Sequence, residues 1–299
     1  MGFGNVYEII TERIMEKLEA GTVPWHKPWT AAGGAPSNLV SGKEYRGVNV
    51  FLLACEDFAS PYWVTFKQAK QLGGTVRKGE RSTPVVFWKW INRTSDNSDT
   101  GETETKQIPL LRYYSVFNVE QCDGITHKRL KVQAEEPAPF NPIEAAEAIV
   151  ANYPAPPPIS HDGRGSAYYR PTNDSIHMPK QETFCSEEHY YATLFHEMAH
   201  SSGHESRLAR PGVTSPIRYG SHPYSQEELV AEMGSAFLLA EAGIDSEGLV
   251  ENSAAYIESW LKALKNDKKL LVMAAAQAQK AADRILGRDF EVELHAEAA

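Results

Sequence analysis

Cys185-Ser-Glu-Glu-His-Tyr-Tyr-Ala-Thr-Leu-Phe-His-Glu-Met-Ala-His200 contains neither glycine nor proline and predicts one continuous helix. Ser186 suits its N-cap, and Glu187 and Glu188 suit the positive end of the helix dipole. Tyr191, Leu194, Phe195, Met198 and Ser202 recur at helical spacing, so one face is mostly apolar and packs. His196 and His200 lie one turn apart and project from the same side. That spacing suits two nitrogen ligands on one tetrahedral Zn²⁺, with Glu197 beside them to take a proton from water at the metal. Two solvated or core histidines are the plainer reading; an amphipathic helix carrying the pentad favours the metal.

A third ligand is needed, because two imidazoles alone make a poor zinc site. His204 is too close: where a third histidine follows a glycine turn it stands six residues after the second, and Ser206 occupies that position. His204 is expected to be structural or to support the ligands. The better source is a second helix, Tyr224 to Ala240, whose core stripe is Leu229, Met233, Ala236, Phe237 and Ala240. Glu228 and Glu232 stand one turn apart on it. Glu228 is assigned as the third ligand and Glu232 as an acceptor orienting a ligating histidine through its other ring nitrogen. The alternative stays open: Ser225-x-x-Glu228 is also a capping box, which would use Glu228 only to start the helix. Two imidazoles and a carboxylate accept Zn²⁺, Mn²⁺ or Co²⁺, and zinc is the expected ion.

Composition narrows the setting. Three scattered cysteines, Cys55, Cys122 and Cys185, form no disulfide framework and fit a reducing cytosol. Cys185 is expected to be a small buried residue ahead of the helix rather than a nucleophile. Neither an 18-residue apolar run nor a basic-then-apolar leader is present, so a cytoplasmic protein without a membrane partner is expected. The net charge of -9 is uneven: residues 1–130 sum to +2 and residues 131–299 to -11. Five of the six tryptophans (Trp25, Trp29, Trp63, Trp88 and Trp90) fall in the first part, so the two parts have different surfaces and partners.

Along the chain, Asn5 to Ala20 predicts an amphipathic helix, and Asn49–Phe58 and Phe66–Leu72 two short ones. Pro24 to Pro28 predicts a tryptophan-bearing loop. Pro84–Ile91 and Pro109–Val119 predict strands, with the polar stretch 92–107 a long mobile hairpin tip between them. The proline-rich stretch 132–142 predicts a linker between two domains, 1–131 and 143–299, each with its own modest core. Short strands are expected near Ala167–Arg170 and Ser175–Met178. The fold class is α+β.

The first domain has a case for single-stranded nucleic acid. Alternation puts Val86, Trp88 and Trp90 on one face of a strand and Val85, Phe87 and Lys89 on the other. Both faces cannot be equally buried, so a large aromatic is exposed. Bases stack on such rings at roughly 1–3 kcal/mol each while cations track phosphates. Arg77, Lys78, Arg81 and Lys89 are the first candidates for phosphates and Trp88 or Trp90 for stacking, with Lys43, Arg46 and Lys67 behind them. Against this, aromatic strands are usually core, and a charge of +2 is barely basic.

His196-Glu-Met-Ala-His, then Ser-Ser-Gly-His204-Glu-Ser-Arg207-Leu, then Glu227-Glu-Leu-Val-Ala-Glu-Met233, resembles the metallopeptidase domain of ArdC-type antirestriction proteins, itself similar to SprT-like peptidases that act on DNA-bound proteins. Pro24-Trp-His-Lys-Pro-Trp29, Trp63-Val-Thr-Phe-Lys-Gln-Ala69 and Gly73-Gly-Thr-Val-Arg-Lys-Gly-Glu80 resemble that family's single-strand DNA-binding domain. The resemblance implies an antirestriction protein that binds single-stranded DNA and protects incoming plasmid DNA, with a protein substrate on DNA if the metal site is active. Many peptidases with a glutamate third ligand carry Asn before it and Asp four residues on; here Glu227 and Glu232 stand there. Two other readings stay open: a cytosolic zinc peptidase whose N-terminal part binds protein partners, and a DNA-binding protein with a structural metal site.

Overall fold

The computed structural model describes residues 6–20, 23–26, 35–56, 58–96, 103–130, 142–161, 166–215, 222–245 and 254–288. Side chains of 90–96, 103–109, 142, 222–224 and 254–256 lie outside that description. The N-terminal part runs α1 (Val6–Glu19), β1 (Ser37–Asn38), α2 (Val48–Ala54), β2 (Tyr62–Val64), α3 (Phe66–Gln71), β3 (Thr75–Val76), β4 (Thr83–Asp96), β5 (Thr103–Asn118) and β6 (Cys122–Asp123). The C-terminal part runs α4 (Pro142–Asn152), β7 (Ile159–Ser160), β8 (Tyr168–Arg170), β9 (Ser175–His177), α5 (Glu187–Ser201), α6 (Pro211–Thr214), α7 (His222–Glu241), α8 (Ala254–Asn266) and α9 (Leu270–Ile285). The class is α+β, as expected.

Strands β1-β2-β5-β4 make one sheet, β3 pairs with β6, and β7-β9-β8 make a third. The hairpin is longer than its sequence suggested. Its ladder runs from Thr83↔Val116 to Asp96↔Thr103, so most of the stretch read as a mobile tip is paired; residues 97–102 lie outside the described ones. Two strands pair through their backbones whatever their side chains, so polar residues there do not end the ladder. Threonines on both strands favour the extended backbone. Strand β4 is an edge, and Asn49 covers part of it: its amide donates to the Val86 carbonyl (2.8 Å) and accepts from the Val86 N–H (2.7 Å).

One main hydrophobic cluster joins the two parts. It draws Ile10, Ile14, Trp25, Phe51 and Leu111 together with Phe195, Leu229, Phe237, Trp260 and Leu271. Fully buried Trp25 packs edge-on between Phe51 (6.4 Å) and Trp260 (6.2 Å), and Phe51 stacks on Phe237 at 4.9 Å. Polar ties follow the same seam: Thr11 Oγ1 donates to the Lys268 carbonyl, Gln279 accepts from Gly47 N, and Arg46 pairs with Asp283. The largest cluster thus crosses between segments more than 180 residues apart, while two smaller clusters, around Trp63 and Val116 and around Leu39 and Val64, stay within the N-terminal part. Of the expected linker, 132–141 lie outside the described residues, and helix α4, beginning at Pro142, was not foreseen. Cys185 is a correction: it is exposed, and Phe184 takes the inward side against the core.

Candidate metal centre and nucleic-acid face

Helix α5 forms as its sequence dictates. Ser186 Oγ accepts the His189 N–H at its start, and Tyr190, Tyr191, Leu194, Phe195 and Met198 are buried. Helix α7 lies against it because Gly234 faces Ala199; a Cβ on Gly234 would stand 2.9 Å from the Ala199 methyl. The approach brings Glu228 to the two histidines. A tetrahedral ion with bonds of about 2.1 Å keeps its ligand atoms about 3.4 Å apart. Here the Nε2 atoms of His196 and His200 are 3.1 Å apart, and each lies 3.6 Å from a Glu228 carboxylate oxygen. These three side chains form the group of His, Cys, Asp and Glu donors, among the described residues, able to hold a metal ion. Helix α7 begins at His222, so Ser225 lies inside it, and the capping-box alternative for Glu228 is set aside.

Electrostatics agree with a cation site. Burial alone would lower the His196 pKa, but the hydrogen bond to Glu228 and the charges of Glu232, Glu197 and Glu228 outweigh it and raise the value to about 9. In the metal-free protein at neutral pH a proton therefore sits where a metal ligand must be bare. The folded value exceeds the ordinary 6.5, so the stabilisation from protonated His196 is complete below 6.5 and lost as pH rises through about 9. Metal affinity runs the opposite way, rising about tenfold per pH unit towards 9 and then levelling. Calorimetry in buffers of different ionisation enthalpy checks this: close to one proton should leave per ion bound at pH 7.5. Zero release would refute the assignment of His196.

The supporting groups include one beyond those expected. Glu232 acts on His196 through its charge, but the carboxylate bonded to His200 is Glu227, whose Oε1 lies 3.3 Å from Nδ1. Burial would raise the Glu227 pKa, yet hydrogen bonds from His200 and Arg210 hold it below the usual carboxylate range. Neither Arg210 nor Glu227 was picked out as part of the site; the only signal was a glutamate standing where related sites carry asparagine. His204 is not among the donors. Its Nδ1 lies 2.8 Å from Ser206 Oγ and 3.9 Å from Asp174, which pairs with Arg207 and accepts from Tyr169. Glu197 is buried on α5 beside His196.

The nucleic-acid candidates are scattered. Trp88 is 36 % exposed and Lys89 is exposed; the Trp90 side chain lies outside the described residues. Lys78, Arg81, Lys43 and Lys67 are exposed. Arg77 is exposed too, but hydrogen-bonds Glu80 at 2.9 Å, with Asp123 at 3.6 Å. Arg46 is committed to Asp283 across the seam. Two aromatic residues were missed. Tyr113 is 45 % exposed and shares the Trp88 face, since Val86↔Tyr113 and Trp88↔Leu111 are register pairs. Phe66, 50 % exposed at the start of α3, stands 6.5 Å from Phe117, which lies on that same face of β5. Exposed Arg112 and Lys89 lie on the opposite face of the ribbon. The alternation of 109–119 would have found Tyr113 had it been read together with β4.

Residues 4–117 match the model of the N-terminal domain of the anti-restriction factor ArdC, and residues 144–277 match a zincin-like metallopeptidase. The chain is 38% identical over 296 residues to a DNA primase TraC of Escherichia coli, covering 94% of this chain but only 27% of the primase. It thus spans about a quarter of that relative's length. It is 37% identical to y4eC, an uncharacterised protein of Sinorhizobium fredii, over 93% of this chain and 91% of that one. Its fold matches the metal-free crystal structure of the antirestriction protein ArdC from plasmid R388 with a TM-score of 0.73 and 40% identity, over 96% of this chain and all of that one. A Mn(II)-bound structure of the same R388 protein matches equally well, at 38% identity.

Proposed function

The chain belongs to the ArdC family of antirestriction proteins, and from that membership we propose that it binds single-stranded DNA on the β4–β5 hairpin and protects incoming plasmid DNA from restriction in the cytoplasm. One observation carries the DNA reading: two large rings, Trp88 and Tyr113, stand exposed on one face of a ribbon whose opposite face bears Lys89 and Arg112. Rings left in water by the fold give bases a stacking platform, and long cationic side chains at the ribbon's edges reach phosphates.

The metal centre is read as a DNA-associated peptidase site. His196, His200 and Glu228 would hold Zn²⁺, Mn²⁺ or Co²⁺, the ions their donor set accepts. A bound ion supplies a Lewis acid that polarises a carbonyl and acidifies water. Glu197, one residue after the first histidine, is the general base that takes up the proton. Arg207 and His204 hold the turn after α5 against Asp174 and take no part in the chemistry.

One experiment tests the whole reading: cleavage of a DNA-bound protein, in Zn²⁺ and in Mn²⁺, with and without a single-stranded oligonucleotide. Three proteins are compared: wild type, Glu197→Gln and the double variant Trp88→Ala with Tyr113→Ala. Wild type should cleave faster with DNA, Glu197→Gln should bind DNA but not cleave, and the double variant should bind DNA at least ~30-fold more weakly. Unchanged DNA affinity in the double variant would remove the hairpin face. Absent cleavage by folded, DNA-bound wild type would leave a DNA-binding protector with a structural metal site. Failure to bind DNA at low salt would favour a peptidase whose N-terminal part binds proteins.

A further inference from the structure

We propose that Arg210 and Glu227 form a positioning device for the metal centre, which fixes the ring of His200 and keeps Glu227 itself from becoming a ligand. The pair is almost closed to solvent, with 4% and 8% of the two side chains exposed. Arg210 Nη2 donates to Glu227 Oε1 at 2.6 Å, and Nε donates to Oε2 at 3.1 Å, so both carboxylate oxygens are engaged by one planar fork. Oε1 also receives the Nδ1–H of His200 at 3.3 Å. A carboxylate can only accept, so this bond selects the tautomer with its proton on Nδ1 and leaves the Nε2 lone pair facing His196 and Glu228.

The same guanidinium grips the helix that carries the ring. Nη1 donates to Ser202 Oγ at 2.7 Å and Nη2 to the Ala199 carbonyl at 2.7 Å, one residue before His200. Two glycines make the arrangement possible. A Cβ on Gly203 would come within 2.9 Å of the guanidinium, and one on Gly212 within 2.7 Å of Glu227 Oε2. Backbone therefore closes over both members of the pair. Four glutamates (197, 227, 228 and 232) lie around two histidines, and a divalent ion would draw any carboxylate free to move. Engaging both oxygens of Glu227 restricts the set to two imidazoles and Glu228.

The test replaces the pair by apolar side chains of similar volume, Arg210→Met with Glu227→Leu, an exchange that commonly leaves stability unchanged. A second variant, Glu227→Asp, keeps a charge for Arg210 but draws the carboxylate back from the ring. A control, Ser202→Ala, removes one Arg210 bond and leaves Glu227 and His200 joined. Mn²⁺ and Zn²⁺ affinities are measured by chelator competition, and ¹⁵N spectra of the metal-free proteins report the tautomer of His200. Both pair variants should bind either ion 10–100-fold more weakly and lose the Nδ1–H signature, while Ser202→Ala keeps both. Wild-type affinity and an unchanged tautomer in a folded pair variant would overturn the proposal, as would equal weakening by Ser202→Ala. Should the double variant not fold, Glu227→Asp alone decides by the same two readouts.

Discussion

Glu228→Ala leaves the protein folded and lowers its affinity for divalent ions by more than the ~100-fold that loss of a supporting residue costs. Glu228 contributes one of three donor atoms, and removing it leaves two imidazoles 3.1 Å apart with no carboxylate between them and the ion. A second effect partly offsets the first. The Glu228 hydrogen bond is the largest influence raising the pKa of His196, so the variant also lowers the pH at which that ring is bare. The fold should tolerate the change, because Glu228 is only partly buried and its neighbours Leu229 and Val230 carry the packing of α7. Chelator competition with Zn²⁺ and Mn²⁺, alongside a thermal melt without metal, measures both quantities. Stoichiometric binding at wild-type strength would transfer the third ligand to Glu227 or Glu232.

Phe51→Ala destabilises the whole chain by about 3–5 kcal/mol, in one transition rather than two. Phe51 is fully buried and stacked on Phe237, a residue of the helix that supplies Glu228, and it also meets Trp25 edge-on. The truncation leaves a cavity where the two parts of the chain meet. Tryptophan fluorescence, which with five of six tryptophans reports chiefly the N-terminal part, and metal release, which reports the C-terminal part, should move together in guanidinium and share one shifted midpoint. Separate midpoints, with only the fluorescence transition shifted, would show two independently folding domains and sink the idea of a shared core.

Much of the site was legible because its residues are close in sequence and obey a short period. His196, Glu197 and His200 stand on one helix whose cap, acidic first turn and apolar stripe all lie within Cys185–Ser202. Glu228 could be nominated from a second helix because a ligand was missing. Helices α1, α2 and α3 and strands β8 and β9 came out within a few residues of their observed ends. The hairpin runs further than its composition suggests, because polar side chains do not prevent two strands from pairing their backbones. Tyr113 was missed because its exposure depends on which neighbour covers each face of β5, and α1 and α2 do that from afar.

The local pattern by itself determined the α+β class, the two histidines of the candidate metal group, the glutamate proposed as the base beside them and the helix able to complete the set, since helix capping and side-chain spacing act over one or two turns. Only the tertiary structure decided that Glu227, rather than Glu232, bonds to His200, that buried Arg210 holds it, and that Arg46 is spent on Asp283 instead of a phosphate. It also decided that one core runs through both parts of the chain. Those choices turn on desolvated charges and interlocking rings brought together from 17 to 237 residues apart. No short-range period records such distances, because burial and charge pairing depend on the neighbours the fold supplies.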